Sequence, residues 1–127
     1  MDRNETIKRI KAALKKRSGK SWSVIGGTGT SHGWLTIDAP PARRTWVSVS
    51  TGARDETGST IYREENHPEE EFGYTGPEDR EELAKLLGLK SVGHQGESVP
   101  ASNDYYQEYI DRAEGKTPSV IGVQYWD

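Results

Sequence analysis

The sequence predicts an α+β fold with a single antiparallel sheet of about four strands and helices packed on at least one face. Three observations predict it. Apolar residues recur at helical spacing in three segments, short segments of β-forming residues alternate with them, and turns rich in glycine or proline separate the two kinds. The expected order of elements is α-β-β-β-α-α-β, in one domain that spans all 127 residues.

The first helix is expected over residues 5–17, where apolar side chains recur on one face. Either Asp2 or Asn4 can cap its start, because both side chains can accept hydrogen bonds from first-turn N–H groups. Basic residues fill the last turn, and Gly19 suits a left-handed stop. The residues expected to face solvent are Lys8, Arg9, Lys11, Lys15 and Lys16.

Strands are expected over residues 21–26, 33–38, 45–50 and 119–126, and the turn-forming GTGTSH between the first two predicts a hairpin. Pro40 and Pro41 end the second strand, since neither can donate to a ladder.

Composition changes between the third and last strands. Residues 51–76 are rich in Gly, Thr, Glu and Asp, which predicts an acidic loop with a short strand over residues 60–62.

Two further helices follow the acidic segment. Pro77 at the first position and Gly88 at the stop predict a helix over residues 77–87. A third helix is expected from an Asn103 cap to about residue 114, with a tyrosine-rich apolar face. The buried stripe of the second helix is expected to comprise Leu83, Leu86 and Leu87.

Composition excludes several classes of site. Hydrophobic residues make up 31% and charged residues 29%, with a mean hydropathy of -0.88, so the expected core is small. The absence of cysteine excludes disulfides, thiolate metal sites and cysteine nucleophiles. No apolar segment is long enough to span a membrane, and the charged N-terminus does not resemble a signal peptide. A cytoplasmic location with no membrane partner is therefore expected.

Charge is distributed unevenly along the chain, although the net charge is -3. Residues 1–54 contain 11 Lys or Arg and 3 Asp or Glu, a net of +8, whereas residues 55–127 contain 6 and 17, a net of -11. Such asymmetry is typical of a surface that binds nucleic acid or another anion, and it equally fits two parts of one fold that attract each other.

The basic half and the tryptophans together predict a surface for single-stranded nucleic acid. Basic side chains can contact phosphates, and aromatic rings interleaved with Thr and Ser on a sheet face can stack on unpaired bases. By strand parity, Trp34, Trp46 and Trp126 share one face of the sheet, whereas Trp22 is expected in the core. The alternative is that the third helix covers that face. The candidate residues are Lys15, Lys16, Arg17, Lys20, Trp34, Arg43, Arg44 and Trp46.

Sequence motifs for catalysis are lacking. The SGKS segment at residues 18–21 lacks the flanking glycine and helix of a phosphate-binding P-loop, and the glycine-rich residues 26–33 fit a hairpin turn better than an anion nest. His32, His67 and His94 have no metal-ligand spacing. We therefore expect no catalytic residues, metal or cofactor.

Four stretches carry a resemblance to known sequences: RSGKSWSVIGG at 17–27, GWLTIDAPPARR at 33–44, LLGL at 86–89 and the segment 94–127. They resemble a family of small uncharacterised proteins of actinobacteria, cyanobacteria and mobile elements. The first helix with its basic turn and SWSV is distantly similar to accessory domains of large polyvalent proteins of phages and conjugative elements. The resemblance implies a bacterial or phage, cytoplasmic context and supplies no catalytic residues.

Three functions follow as hypotheses. The first is a small non-enzymatic module that binds single-stranded DNA or RNA. The second is a protein-interaction or inhibitor module, of the anti-defence kind, in which the acidic surface meets a basic protein. The third is a small enzyme or nucleotide binder that uses residues 26–33 and a histidine.

Overall fold

The computed structural model describes residues 2–46, 49–54, 57, 60–63 and 73–122, and it describes 49–54 and 60–63 through their backbone alone. Within this part of the chain the protein is an α+β fold with antiparallel strands. The helices are α1 (Arg3–Ser18), α2 (Pro77–Leu87) and α3 (Asn103–Ala113). The strands are β1 (Ser23–Gly26), β2 (Leu35–Asp38), β3 (Arg44–Thr45), β4 (Val49–Arg54), β5 (Thr60–Arg63), β6 (Tyr74–Thr75) and β7 (Glu97–Val99).

The helix ends follow local sequence chemistry. Asp2 Oδ1 accepts a hydrogen bond from the Glu5 N–H at 2.8 Å, and Gly19 ends α1 with a left-handed φ of 73°. The bounds of α2 match those expected from its proline and glycine. In α3 the expected Asn103 cap is wrong: Ser102 is the cap, and its Oγ accepts from the Tyr105 N–H at 3.3 Å.

The expected single sheet of about four strands is wrong. The strands that the structure describes form one three-stranded sheet, ordered β1-β2-β7, and the two-stranded pairs β3-β6 and β4-β5. The β1-β2 hairpin is confirmed, with Val24 opposite Ile37. After β2 a 3₁₀ turn over Pro41–Arg43 redirects the chain, so the expected third strand contributes to β3 and β4 in separate sheets. Strand β7 was not among the expected strands, because it is only three residues long and begins with Glu97.

The core lies between the three-stranded sheet and the helices. Alternation along β2 directs Leu35 and Ile37 to the core, where Val24 and Val99 join them. Trp22 is buried as expected, with 2% of its surface exposed. The helices contribute Ile10, Leu14, Leu83, Leu87, Tyr106, Tyr109, Ile110 and Ala113. Of the expected leucine stripe, Leu86 is only partly buried and packs at the edge of this cluster.

Two expectations about extended segments have mixed outcomes. The region expected as an acidic loop, 51–76, contains most of β4 and all of β5 and β6, and the short strand at 60–62 is confirmed as part of β5. Its most acidic part, residues 64–72, lies outside the described residues. The expected strand over 119–126 is wrong for residues 119–122, which pair with no strand that the structure describes. The rest of the expected strand lies outside the described residues.

Candidate nucleic-acid interface

Three lysines form a row on the solvent side of α1. Lys8, Lys11 and Lys15 are spaced three and four residues apart, which places them on one helical face, and all three are exposed. A groove of about 400 Å³ lies beside them, with Ser21 and Trp22 on its other wall. None of the three forms an ion pair with any residue that the structure describes. We call these three residues the lysine row.

Lys16 lies on the adjacent side of the same helix. Together with Arg9 it lines a second groove, of about 440 Å³, between α1 and the residues that follow α3. Ala12 lines both grooves and separates them with a small side chain. The exposed surface of α1 is therefore basic on both sides of Ala12.

Arg17, expected to contact phosphate, instead joins the ends of two helices. Its Nη1 donates to the carbonyl oxygens of Leu86 at 2.8 Å, Arg112 at 3.1 Å and Ala113 at 2.9 Å. Carbonyls in the last turn of a helix have no partner within the helix and carry partial negative charge. Arg17 therefore acts as a shared C-terminal cap for α2 and α3.

Lys20 and Arg43 are directed toward the start of α2. Lys20 Nζ lies 2.5 Å from Glu82 Oε1 and 3.7 Å from Asp79 Oδ1, and Arg43 Nη1 lies 3.3 Å from the same Asp79 oxygen. The hydrogen bond with Glu82 is the main reason that the pKa of Lys20 is raised above its ordinary value. The Arg43 guanidinium also stacks on the Trp22 ring at 4.8 Å and donates to the Ser21 carbonyl.

Arg44 is paired within the fold as well. Its Nη2 lies 2.9 Å from Asp38 Oδ1, and its Nε donates to the Ala39 carbonyl at 2.6 Å. Burial raises the pKa of Asp38 above its ordinary 3.8, although the charge of Arg44 opposes this shift. The four basic residues Arg17, Lys20, Arg43 and Arg44 are thus engaged within the fold, and the pairs that Lys20 and Arg43 form with Asp79 and Glu82 support the hypothesis that the basic half of the chain attracts the acidic half.

The raised pKa of Asp38 predicts a pH-dependent stability. The folded protein binds the Asp38 proton more tightly than the unfolded chain does, so this contribution is fully present below the ordinary pKa of 3.8 and is lost as pH rises through the folded pKa. We expect the free energy of unfolding of the wild type, minus that of Asp38→Asn, to be larger near pH ~3 than near pH ~7. Urea denaturation across that pH range measures the difference. Glu81→Gln, on the exposed face of α2, is the control, and a difference for Asp38→Asn that stays constant or grows with pH would contradict the expectation.

The two candidate tryptophans occupy separate sheets. Trp34 immediately precedes β2 and is half-buried, and Trp46 immediately follows β3 and packs against Gly73. Because β2 and β3 belong to different sheets, strand parity no longer places the two rings on one face. Trp126 lies outside the described residues.

The alternative that the third helix covers the polar sheet face is wrong. The apolar face of α3 shares a core with Leu35, Ile37 and Val99, on the opposite side of the sheet. On the polar face, Ile25 of β1 is 55% exposed.

The glycine-rich residues 26–33 connect β1 to β2 around the side chain of Arg3. Arg3 Nη1 donates to the carbonyls of Gly27 at 2.7 Å and His32 at 2.6 Å. Several N–H groups of the loop donate internally, including that of Gly27 to Trp34 O at 2.8 Å. A loop that offers carbonyls to an arginine does not support an anion nest, which requires convergent free N–H groups.

Histidine and carboxylate groups do not assemble a metal site in the part of the chain that the structure describes. His94 contacts the Tyr74 ring edge-on, with ring centroids 4.6 Å apart, and His32 lies exposed in the β1-β2 loop. His67 lies outside the described residues.

A cluster of buried polar groups, formed by α3 and β7, was not expected from the sequence. The Tyr109 hydroxyl donates to Glu97 at 3.2 Å, and Glu108 is paired with Arg112 at 3.1 Å. Burial, followed by the charge of Glu97, raises the pKa of Tyr109 far above its ordinary value, so this hydroxyl stays a donor. Each member is paired inside the fold, and the cluster therefore has a structural role. The i,i+4 spacing of Glu108 and Arg112 is the sequence signal that could have found part of it.

The arrangement defines a class: a small α+β protein whose exposed basic surface is concentrated on one helix. Comparison with known proteins adds no relationship, because the sequence matches no family model and resembles no curated protein or solved structure detectably. Among the described residues, no helix is both long enough and apolar enough to cross a membrane.

Proposed function

We propose that the protein binds single-stranded nucleic acid through the exposed face of α1, using the lysine row Lys8, Lys11 and Lys15 together with Lys16. The observation that carries the proposal is the contrast between these lysines and the other candidate cations. Arg17, Lys20, Arg43 and Arg44 are engaged by carbonyls or carboxylates, whereas the lysine row has no ionic partner among the described residues.

The geometry of the row suits a polyanion. Successive lysines rise by about 4.5 and 6 Å along the helix axis, so one extended backbone can contact them in turn. The groove beside the lysine row is also lined by Ser21 and Trp22. A positively charged groove of this kind can bind single strands without sequence preference. The overall charge of -3 opposes tight binding of a duplex, so a weak preference for single strands is expected. The proposal includes the cytoplasmic setting expected from the sequence and the bacterial or phage setting that the resemblance implies.

The test compares a variant that loses two positive charges from the lysine row with a control that loses two positive charges elsewhere on the protein. Lys11→Gln with Lys15→Gln is expected to weaken binding of a fluorescent oligonucleotide with a 5′-hydroxyl end about tenfold at low salt. The slope of log K against log salt should shrink by about 1.4, since each lost single-strand phosphate contact contributes ~0.7. Glutamine keeps the helix propensity of lysine, so the fold should be unchanged by circular dichroism.

The matched control is Lys85→Gln with Lys90→Gln, two exposed lysines outside α1. It should change binding only slightly, through net charge alone. Equal loss in both double variants would mean that general charge, and not the α1 face, governs binding. No binding by folded wild-type protein at high micromolar concentration would reject the proposal and favour a protein partner for the acidic surface.

Base stacking is tested separately. Trp34→Ala should weaken binding with little change in the salt slope if the half-buried ring stacks on a base, because stacking does not release counterions. Trp46→Ala tests the stacking hypothesis for Trp46 in the same way, and an affinity unchanged by either substitution would contradict stacking at that ring.

A further inference from the structure

The second groove has the composition of a site for a small anion. It lies between α1 and the residues after α3, has a volume of about 440 Å³, and is lined by Arg9, Lys16, Arg17 and Lys116 with Glu114 as its acidic member. Arg9 and Lys116 each lie 3.4 Å from Glu114 Oε1, so this carboxylate is shared by two cations. The described residues that line the groove carry a formal charge of +3, from four cations and one carboxylate.

Arg17 is held in a fixed orientation at the edge of this groove. Its Nη1 is fastened by the carbonyls of Leu86, Arg112 and Ala113, and its Nε and Nη2 have no acceptor among the described residues. Those two nitrogens present parallel N–H donors, the fork that binds two oxygens of a phosphate or carboxylate. The cost in side-chain entropy of fixing the arginine is already met by folding, which favours binding.

Gly115 gives the guanidinium its space. The residue has a φ of 79°, and a Cβ built there would lie 3.2 Å from the Arg17 Nε and Cζ. A side chain at this position would press on the guanidinium, because the same Cβ would also lie 3.4 Å from Nη2. The glycine therefore allows the arginine to lie flat against the turn that ends α3.

From these features we infer that the groove binds a phosphate monoester, with Arg17 as a bidentate donor and Lys16 and Lys116 as flanking charges. A phosphate monoester fits better than a phosphodiester, because its terminal group carries nearly two charges and three acceptor oxygens. The inference goes beyond the proposed function, since the groove lies across Ala12 from the lysine row and does not require it. The monoester can be a free nucleotide or the terminal phosphate of a strand.

The first experiment uses free ligands. Thymidine monophosphate, inorganic phosphate and thymidine are titrated into the ¹⁵N-labelled full chain, and the Arg17 Nε–Hε resonance is followed. We expect saturable shifts with the two phosphates and none with thymidine. Lys16→Gln with Lys116→Gln should weaken binding of the monophosphate about tenfold, whereas Lys85→Gln with Lys90→Gln and the Lys11→Gln with Lys15→Gln variant should leave it unchanged.

The second experiment distinguishes the sources. A 5′-phosphorylated oligonucleotide is compared with the same strand ending in a hydroxyl, in the wild type and in Lys16→Gln with Lys116→Gln. If the 5′-phosphate raises the affinity for the strand and this variant abolishes the increase, the groove binds strand ends. If the free monophosphate binds but the 5′-phosphate does not raise the affinity for the strand, the groove binds nucleotides.

The inference is overturned if neither thymidine monophosphate nor inorganic phosphate binds. It is also overturned if Lys16→Gln with Lys116→Gln and Lys85→Gln with Lys90→Gln lose binding of the monophosphate equally. The proposed function is judged independently, by the hydroxyl-ended strand and its dependence on Lys11 and Lys15.

Discussion

Replacement of Leu83 by alanine is expected to lower the free energy of unfolding by about 2–5 kcal/mol. Leu83 is fully buried between α2 and the rest of the core, with 0% of its surface exposed. The substitution removes apolar contacts and leaves a cavity that the surrounding side chains fill only in part. Urea denaturation monitored by tryptophan fluorescence measures the change through the midpoint at constant m-value.

Leu86→Ala provides the comparison within the same helix. Leu86 was expected in the same buried stripe, but it is partly exposed at the edge of the core, so its truncation should cost clearly less than that of Leu83. Both substitutions have the same effect on helix propensity, and the difference between them therefore reports burial. Equal losses at the two positions would show that the packing of α2 differs from that described here.

Arg17→Met is expected to lower the free energy of unfolding by about 2–3 kcal/mol, because it removes a charged donor from three helix-end carbonyls. Methionine keeps a flexible apolar stem, so the loss reports the guanidinium rather than the packing of the side chain. Thermal and urea unfolding of the variant, compared with the wild type at equal ionic strength, measure the effect.

The neighbouring Lys16→Met is its control. Lys16 is exposed and makes no ion pair or side-chain hydrogen bond with the described residues, so this substitution should change stability by no more than about 0.5 kcal/mol. The two variants remove the same charge from adjacent positions. If Arg17→Met were as stable as Lys16→Met, the arginine would not act as the cap shared by α2 and α3.

These variants separate two uses of positive charge that the composition alone cannot separate. The charge split between the two halves of the chain is consistent both with a nucleic-acid surface and with internal attraction. The contacts of Lys20 and Arg43 with Asp79 favour internal attraction for that pair, whereas the lysine row has no ionic partner in the described part of the chain. Both hypotheses therefore describe part of the same basic half.

The helices were predictable because their signals are local. The caps and stops of α1 and α2 lie within a few residues of the helices they end, and the expected bounds of α2 were confirmed. The β1-β2 hairpin was predictable for the same reason, since its turn residues are contiguous. Helical spacing also placed Lys15 and Lys16 on the exposed face of α1 correctly.

Pairing between distant segments was not predictable. β7 joins β2 across about 60 residues of sequence, and the division of the expected third strand depends on partners, β5 and β6, in a segment with weak apolar patterning. Parity could not place Trp34 and Trp46 together once their strands entered different sheets. The sequence of a strand indicates its pairing partner only weakly, because most of the stabilisation comes from side chains on the neighbouring strand.

The sequence by itself determined the bounds of α2 and, to within two residues, the ends of α1 and α3. It also determined which turn closes the first hairpin and that positive charge accumulates in the first half of the chain. Only the tertiary structure decided which of those charges are paired within the fold. Arg17, Arg43 and Arg44 find carbonyls or carboxylates that lie 22 to 96 residues away or across a turn, and such partners have no local signature. Lysines on the outer face of α1 meet no such partner in the described fold, because the sheet and the other helices pack on the opposite side of that helix.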